Sequence, residues 1–233
     1  MAGLHAVVPA TQRLRARGAG GTGQEGVTRL AGREETVSSD WQEFWSNPAS
    51  YVDAGWLSDC FDGQIGFEAC ERMLETPRLQ QRLSKLLAAR HELAAGAPAR
   101  LPEQVDQQIA LAPGDELERL ALRAGAIYWA NSLAAVIDGR QAGAIQTALG
   151  PELCALAVAN RDISGPVKPL EPLDSLSGRV FADGLSCLES WLQDMPPQLA
   201  SRVRLKLANG LPGLGDTKQV AELGARILRR AME

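Results

Sequence analysis

Four cysteines and two histidines are the residues of this 233-residue chain most readily turned to catalysis or metal binding. Cys60, Cys70, Cys154 and Cys187 stand far apart with no C-x-x-C pair, and His5 and His91 complete no zinc-ligand spacing with them. Isolated thiols of this kind read as free groups of a reducing compartment rather than as disulfides. A Ser/His/Asp relay would have to use His91 as its base, because His5 lies in a glycine-rich arm. His91-Glu92 lacks the second histidine of a H-E-x-x-H zinc helix. A cysteine could pair with His91 as a nucleophile, but no cysteine opens an electropositive helix start. The acidic pairs Glu34-Glu35 and Asp115-Glu116 have the form of helix caps or solvated surface rather than of a general acid and base. Gly18-Ala19-Gly20-Gly21-Thr22-Gly23 matches the letters G-x-G-x-x-G, yet no strand precedes it and no helix follows, and no Gly-Lys-Ser/Thr occurs anywhere. These residues predict no enzyme, no cofactor and no metal, which leaves binding.

The elements that could carry a binding surface are helical. Aromatics make up only 5% of the chain while alanine and leucine abound, which favours helices over sheets. An apolar content of 45% is enough for a packed core. Net charge is −4, so the chain as a whole is poorly suited to nucleic acid. That charge is uneven: residues 1–38 carry +2, residues 202–233 carry +4, and the stretch between them is strongly acidic. A basic end on an acidic body could meet an acidic partner, although solvated helix faces produce the same totals. No run approaches the roughly 18 apolar residues of a membrane helix, so no direct membrane insertion is expected. Residues 1–38, rich in Gly and Arg, predict a flexible disordered arm, read equally well as a leader or as an over-long start.

From Asp40 onward the chain reads as all-α, an irregular multi-helix bundle over 39–233 with a possible division near 96–113. Asp40 is placed to cap a turn holding Trp41, Phe44 and Trp45. Thr76-Pro77 opens a helix striped by Leu79, Leu83, Leu86 and Leu87, and Gly96 through Pro113 reads as a loop. Pro113-Gly114-Asp115-Glu116 begins a long helix, with Asp115 as cap, that Asp138-Gly139 stops. Gly150 and Pro151 then separate two short helices. Residues 162–177 form an irregular connection. Val180, Phe181, Gly184, Leu185, Leu188, Trp191, Leu192 and Met195 recur at three- and four-residue steps and predict one amphipathic helix. Pro196 ends it and Pro197 starts a second, in which Leu199, Val203 and Leu207 are apolar and Arg202, Arg204 and Lys206 form a basic face. A last helix spans roughly 217–232.

Phe44-Trp45-x-x-Pro48-x-x-Tyr51-Val52-x-x-x-Trp56-Leu57 resembles the opening of the SctK family, whose relatives include YscK, MxiK and OrgA. Leu117 through Ala126, Gly150-Pro151-Glu152-Leu153 and Ala157 through Asn160 are similar to that family's central helices. Gly184-Leu185 through Trp191-Leu192, the break at Met195-Pro196-Pro197, and Arg202 through Leu207 resemble it most. The resemblance covers roughly 41–208. It implies a cytoplasmic adaptor of a bacterial type III secretion system, peripheral to the inner-membrane apparatus. In the family such an adaptor links the membrane-ring protein SctD to the sorting platform of SctQ, SctL and the ATPase SctN. Alternative classes are a helical regulator or chaperone-like module, or a cysteine-dependent enzyme. Dense aromatics either tie the N-terminal segment to the body or anchor a partner. The expected partner surfaces are Trp45, Tyr51 and Trp56 on one side and Arg202, Arg204 and Lys206 on another. Charge reversal at the three cations is then expected to abolish binding without unfolding.

Overall fold

The computed structural model describes residues 39–94, 96, 101–208 and 218–233, and the flexible arm expected over 1–38 lies outside them. Residues Ser39–Glu233 form one compact unit, all-α, with no strand among the described residues. Its helices are α1 (39–46), α2 (Ala54–Cys60), α3 (Phe67–Leu74), α4 (Pro77–Arg90), α5 (Gln104–Leu111) and α6 (Gly114–Tyr128). They continue as α7 (Ala130–Ala134), α8 (Gly139–Leu149), α9 (Pro151–Ala159), α10 (Leu176–Asp194), α11 (Pro197–Arg204) and α12 (Lys218–Met232). No single described helix is long and apolar enough to cross a membrane.

The core is built where α6, α10 and α12 meet. Leu117, Leu120, Ala121, Ala124 and Ile127 of α6 face Leu176, Val180, Cys187, Leu188 and Trp191 of α10, all buried. Two glycines set the spacing. A Cβ on Gly184 would stand 2.6 Å from the carbonyl carbon of Ala121, and one on Gly125 would stand 2.9 Å from that of Val180. The pairing of 125 with 180 and 121 with 184 means that the two backbones touch while running in opposite senses. Gly224 repeats the device on α12, close to Ser190 and Cys187 of α10. Buried Asp106 of α5 then ties three elements together: it accepts from Trp191 Nε1 at 2.7 Å and from Arg229 Nε at 2.7 Å.

Proline and glycine punctuation falls where it does because proline suits the first turn of a helix and stops the one before. Pro77, Pro151 and Pro197 all open helices, and Gly150, at φ +90°, makes the turn between α8 and α9. Four local expectations are corrected. Asp40 lies inside α1 rather than capping it. Gly96 through Pro113 contains α5, which buries Ile109 and Ala110. Asp115 sits in the first turn of α6, whose cap position is Pro113. The long helix breaks at Trp129, because the Tyr128 carbonyl accepts a 2.9 Å hydrogen bond from Gly165 N, and Asp138 caps α8.

The strap 161–175 is held by specific polar contacts. Lys168 N donates to Ser132 Oγ at 2.7 Å, and Asp183 accepts from Lys168 Nζ at 2.7 Å and from Trp129 Nε1 at 2.6 Å. Arg179 donates to the carbonyls of Pro169, Leu170 and Pro172. A smaller cluster of Leu57, Cys70, Leu83 and Leu87 sits among α2, α3 and α4, and Leu205 is part of it.

Candidate functional site

The two expected surfaces, which the sequence places far apart, meet in one place. Short spacing on α1 stacks its aromatics: Phe44 lies 5.5 Å from Trp41 and 5.0 Å from Tyr51, with near-parallel rings, while Trp45 meets Phe44 edge-on at 5.4 Å. The end of α11 closes over this knot. The Arg202 guanidinium lies 4.8 Å from the Trp45 ring, and Lys206 Nζ lies 5.0 Å from Phe44 and 5.2 Å from Tyr51. Trp56 Nε1 donates to the Leu207 carbonyl at 2.8 Å, and Asp53 N donates to that of Leu205 at 2.7 Å.

Burial decides what these residues can do. Trp45 is 7% exposed, Arg202 3% and Lys206 6%. Buried cations ordinarily need counter-charges, yet neither pairs with a carboxylate among the described residues. Their acceptors are main-chain carbonyls. Arg202 Nη2 donates to Trp45 O at 3.2 Å, in the last turn of α1, and to Ala94 O at 2.9 Å. Lys206 Nζ donates to Ala110 O at 2.7 Å and Ala112 O at 2.8 Å, at the end of α5. Three of these carbonyls lie at helix C-termini, which carry unpaired carbonyls and the negative end of the dipole, and Ala94 O lies in the chain after α4; together they serve as the missing anions. Desolvation still lowers both cations from their ordinary values, Lys206 to about 7. Burial likewise pushes the Tyr51 phenol up, and its hydroxyl donates to Phe44 O at 3.0 Å.

The basic face read on α11 is therefore mostly interior. Arg202 and Lys206 follow the buried Leu199 and Val203 by three residues, so Arg202 shares the apolar side of α11 and Lys206, in the turn just after it, continues that side. Arg204 alone reaches partly outward and pairs with Glu189 at 2.5 Å. Tyr51 and Trp56 are half-buried. Of the six residues, Trp45, Arg202 and Lys206 hold the protein's own elements together and present no free surface. A cleft of about 200 Å³ opens beside Lys206, rimmed by Asp40, Glu43 and Ser50.

Chemistry elsewhere is muted. Cys60 Sγ lies 3.8 Å from His91 Nε2, but burial raises the thiol and lowers the imidazole, which keeps both neutral instead of forming a thiolate–imidazolium pair. All four cysteines are free thiols, and among the described residues no three metal-binding side chains converge. A further feature is the basic face of α4, set apart from its leucine stripe. The helix has Arg78, Arg82, Lys85 and Arg90 and no acid, a pattern legible in the bare sequence as a run of one charge sign at helical spacing.

The family described as YOP proteins translocation protein K (YscK) matches residues 40–231, which takes in the described helices from α1 to α12. Nodulation protein NolU of Rhizobium fredii is 30% identical over 161 residues, covering 66% of this chain and 69% of that protein. Nodulation protein NolU of Sinorhizobium fredii (strain NBRC 101917 / NGR234) matches by the same figures. No solved structure matches.

Proposed function

The chain belongs to the YscK family of type III secretion proteins, and from that premise we propose that it is a non-enzymatic adaptor of the secretion apparatus. In this reading it sits in the cytoplasm against the inner-membrane machinery. It joins an SctD-type ring protein to an SctQ-type platform protein, and through the latter to SctL and SctN. The observation that carries the reading is the family match across residues 40–231. The structure lends support in two ways. The cysteine–histidine pair among the described residues, Cys60 with His91, has its thiol raised and its imidazole lowered by burial, which favours the neutral form of both. The aromatic knot and the buried cations fix α1, α5 and α11 against one another, and a scaffold that sets distances between partners needs such rigidity.

The test is affinity purification of the tagged full chain from its native host, with cross-linking and mass spectrometry. Recovery of SctQ-type and SctD-type proteins is the expected result. Recovery of neither, after cross-linking, overturns the adaptor assignment.

A further inference from the structure

We propose that the outer face of α4 is a docking surface for an acidic helix of a partner protein. Arg78, Arg82 and Lys85 follow one another at steps of four and three, so they line one face of α4 over about 10 Å of helix. All three are exposed, as are Gln81 and Ala89 beside them. None of the three has a hydrogen bond or ion pair among the described residues. Arg90, Arg119, Arg204, Arg229 and Arg230 are paired, whereas Arg72, Arg140 and Arg226 also lack an ion pair among the described residues but stand singly rather than in a stripe.

This arrangement works against the isolated fold. No acid occupies the first turn of α4, where one would favour the helix dipole, and Arg78 stands there instead. Arg78 faces Arg82, and Arg82 faces Lys85, at spacings where like charges repel. Residues that break a local rule without a compensating contact are those on which function acts. A complementary stripe of Asp or Glu would supply the missing charge, and it would do so at the rim-type geometry that sets specificity and encounter rate.

The occupant is a discrete acidic helix rather than a membrane or nucleic acid. Neighbouring α3 carries Glu68 and Glu71, Glu75 follows at its C-terminal end, and the chain as a whole is at −4. An extended polyanion would meet those charges as well as the cations, whereas a helix with acids at i, i+4 and i+7 meets only the stripe. This inference concerns one surface of the adaptor proposed above and rests on that reading for its setting alone.

The test places a photo-cross-linking residue at Gln81 of the full chain in its native host, with Glu118 as a distant exposed control. The expected product joins residue 81 to a segment with acids at helical spacing. Its yield falls at least about tenfold in R78E/R82E/K85E, since the reversed stripe sets like charges against one another. R78Q/R82Q/K85Q, which introduces no new charge, should weaken it in the same direction while melting within a few degrees of wild type. An absent product, a product unchanged in either variant, or one on a segment without acids overturns the proposal. So does sedimentation of the protein with phosphatidylcholine–phosphatidylglycerol vesicles that the charge reversal abolishes. If the triple variant recovers the secretion proteins with full yield and its Gln81 product is unchanged, the α4 surface is wrong and the adaptor reading stands. If wild type recovers none, the adaptor reading fails, and the Gln81 product still decides α4.

Discussion

Replacing Gly184 with alanine tests the packing on which the whole bundle depends. The new carbon would stand 2.6 Å from the carbonyl carbon of Ala121 and nearer still to its oxygen, where real Cβ atoms do not come within 3.0 Å. The obstacle is main chain on a neighbouring helix, so no rotamer change relieves it, and α6 and α10 must move apart. That opens the seam between fully buried Ala121, Ala124, Val180 and Leu188. Overpacking alone costs about 1–3 kcal/mol, and the loosened contacts bring the total to about 3–4 kcal/mol. For a chain of this length that lowers Tm by about 10 °C. Gly178→Ala is the control on the same helix: nothing lies within 4 Å of its Cβ. There the change should stabilise by about 0.5–1 kcal/mol, through reduced freedom of the unfolded chain and better helix propensity. Urea unfolding followed by tryptophan fluorescence reads both. A G184A variant within 1 kcal/mol of wild type, or one that moves in the same direction as G178A, refutes the backbone-contact argument, and G125A/G184A should cost less than the sum of its parts because both force apart the same seam.

Charge reversal at α11 should divide sharply. Arg202→Glu places a carboxylate against the Trp45 and Ala94 carbonyls in a buried site and should cost more than about 3 kcal/mol, whereas Arg204→Glu disturbs a partly exposed pair and should cost about 1 kcal/mol. A cooperative near-native melt by circular dichroism for R202E, or for R202E/R204E/K206E, would overturn the interior assignment. Lys206 adds a pH dependence with a defined sign. Its folded value, about 7, lies below the ordinary 10.5, so between these the unfolded chain binds more protons and stability rises with pH, flattening below about 7. Measured against Lys206→Met, so that other groups cancel, wild type should gain about 2 kcal/mol from pH 7 to pH 9; a flat difference would show that the carbonyl acceptors and rings fully offset the desolvation.

Much of the helical pattern could be read from spacing alone. α10, the Pro196-Pro197 break, α11 and α12 follow from apolar steps of three and four and from proline at the first helical position. α5 was hidden because Pro102 and Pro113 bracket it, and an eight-residue helix between prolines looks like loop until Ile109 and Ala110 are seen buried. The break at Trp129 has no local cause, since neither Pro nor Gly marks it. It depends on Gly165, which takes the Tyr128 carbonyl from across the fold. The aromatic cluster was visible as a concentration of Trp and Tyr, but its cover was not. Arg202 reaches Trp45 over 157 positions, and the carbonyls that receive Lys206 exist as acceptors only because α5 ends there. Side-chain type placed these cations at the surface. Helix ends, which no residue type announces, placed them inside.

That difference bears on how an adaptor could keep its shape. Residues 202–207 join three parts of the molecule within two turns. Arg202 holds α1 and the chain after α4, Lys206 holds α5, and Leu205 enters the cluster of α2, α3 and α4 while its carbonyl receives Asp53. Carbonyl acceptors suit this task better than carboxylates would. A carboxylate is carried on a side chain that can rotate away and titrate, whereas a carbonyl at a helix end moves only when the helix moves. Each cation therefore reports and resists displacement of a whole element. The small cluster that carries α4 is fixed through the same six residues, so the free Arg78–Lys85 face is presented at an orientation set by the main bundle. A partner that binds α4 through charge alone would gain little from any single contact. Holding the stripe rigidly is what lets three weak contacts act together, because the ordering cost has already been met in folding.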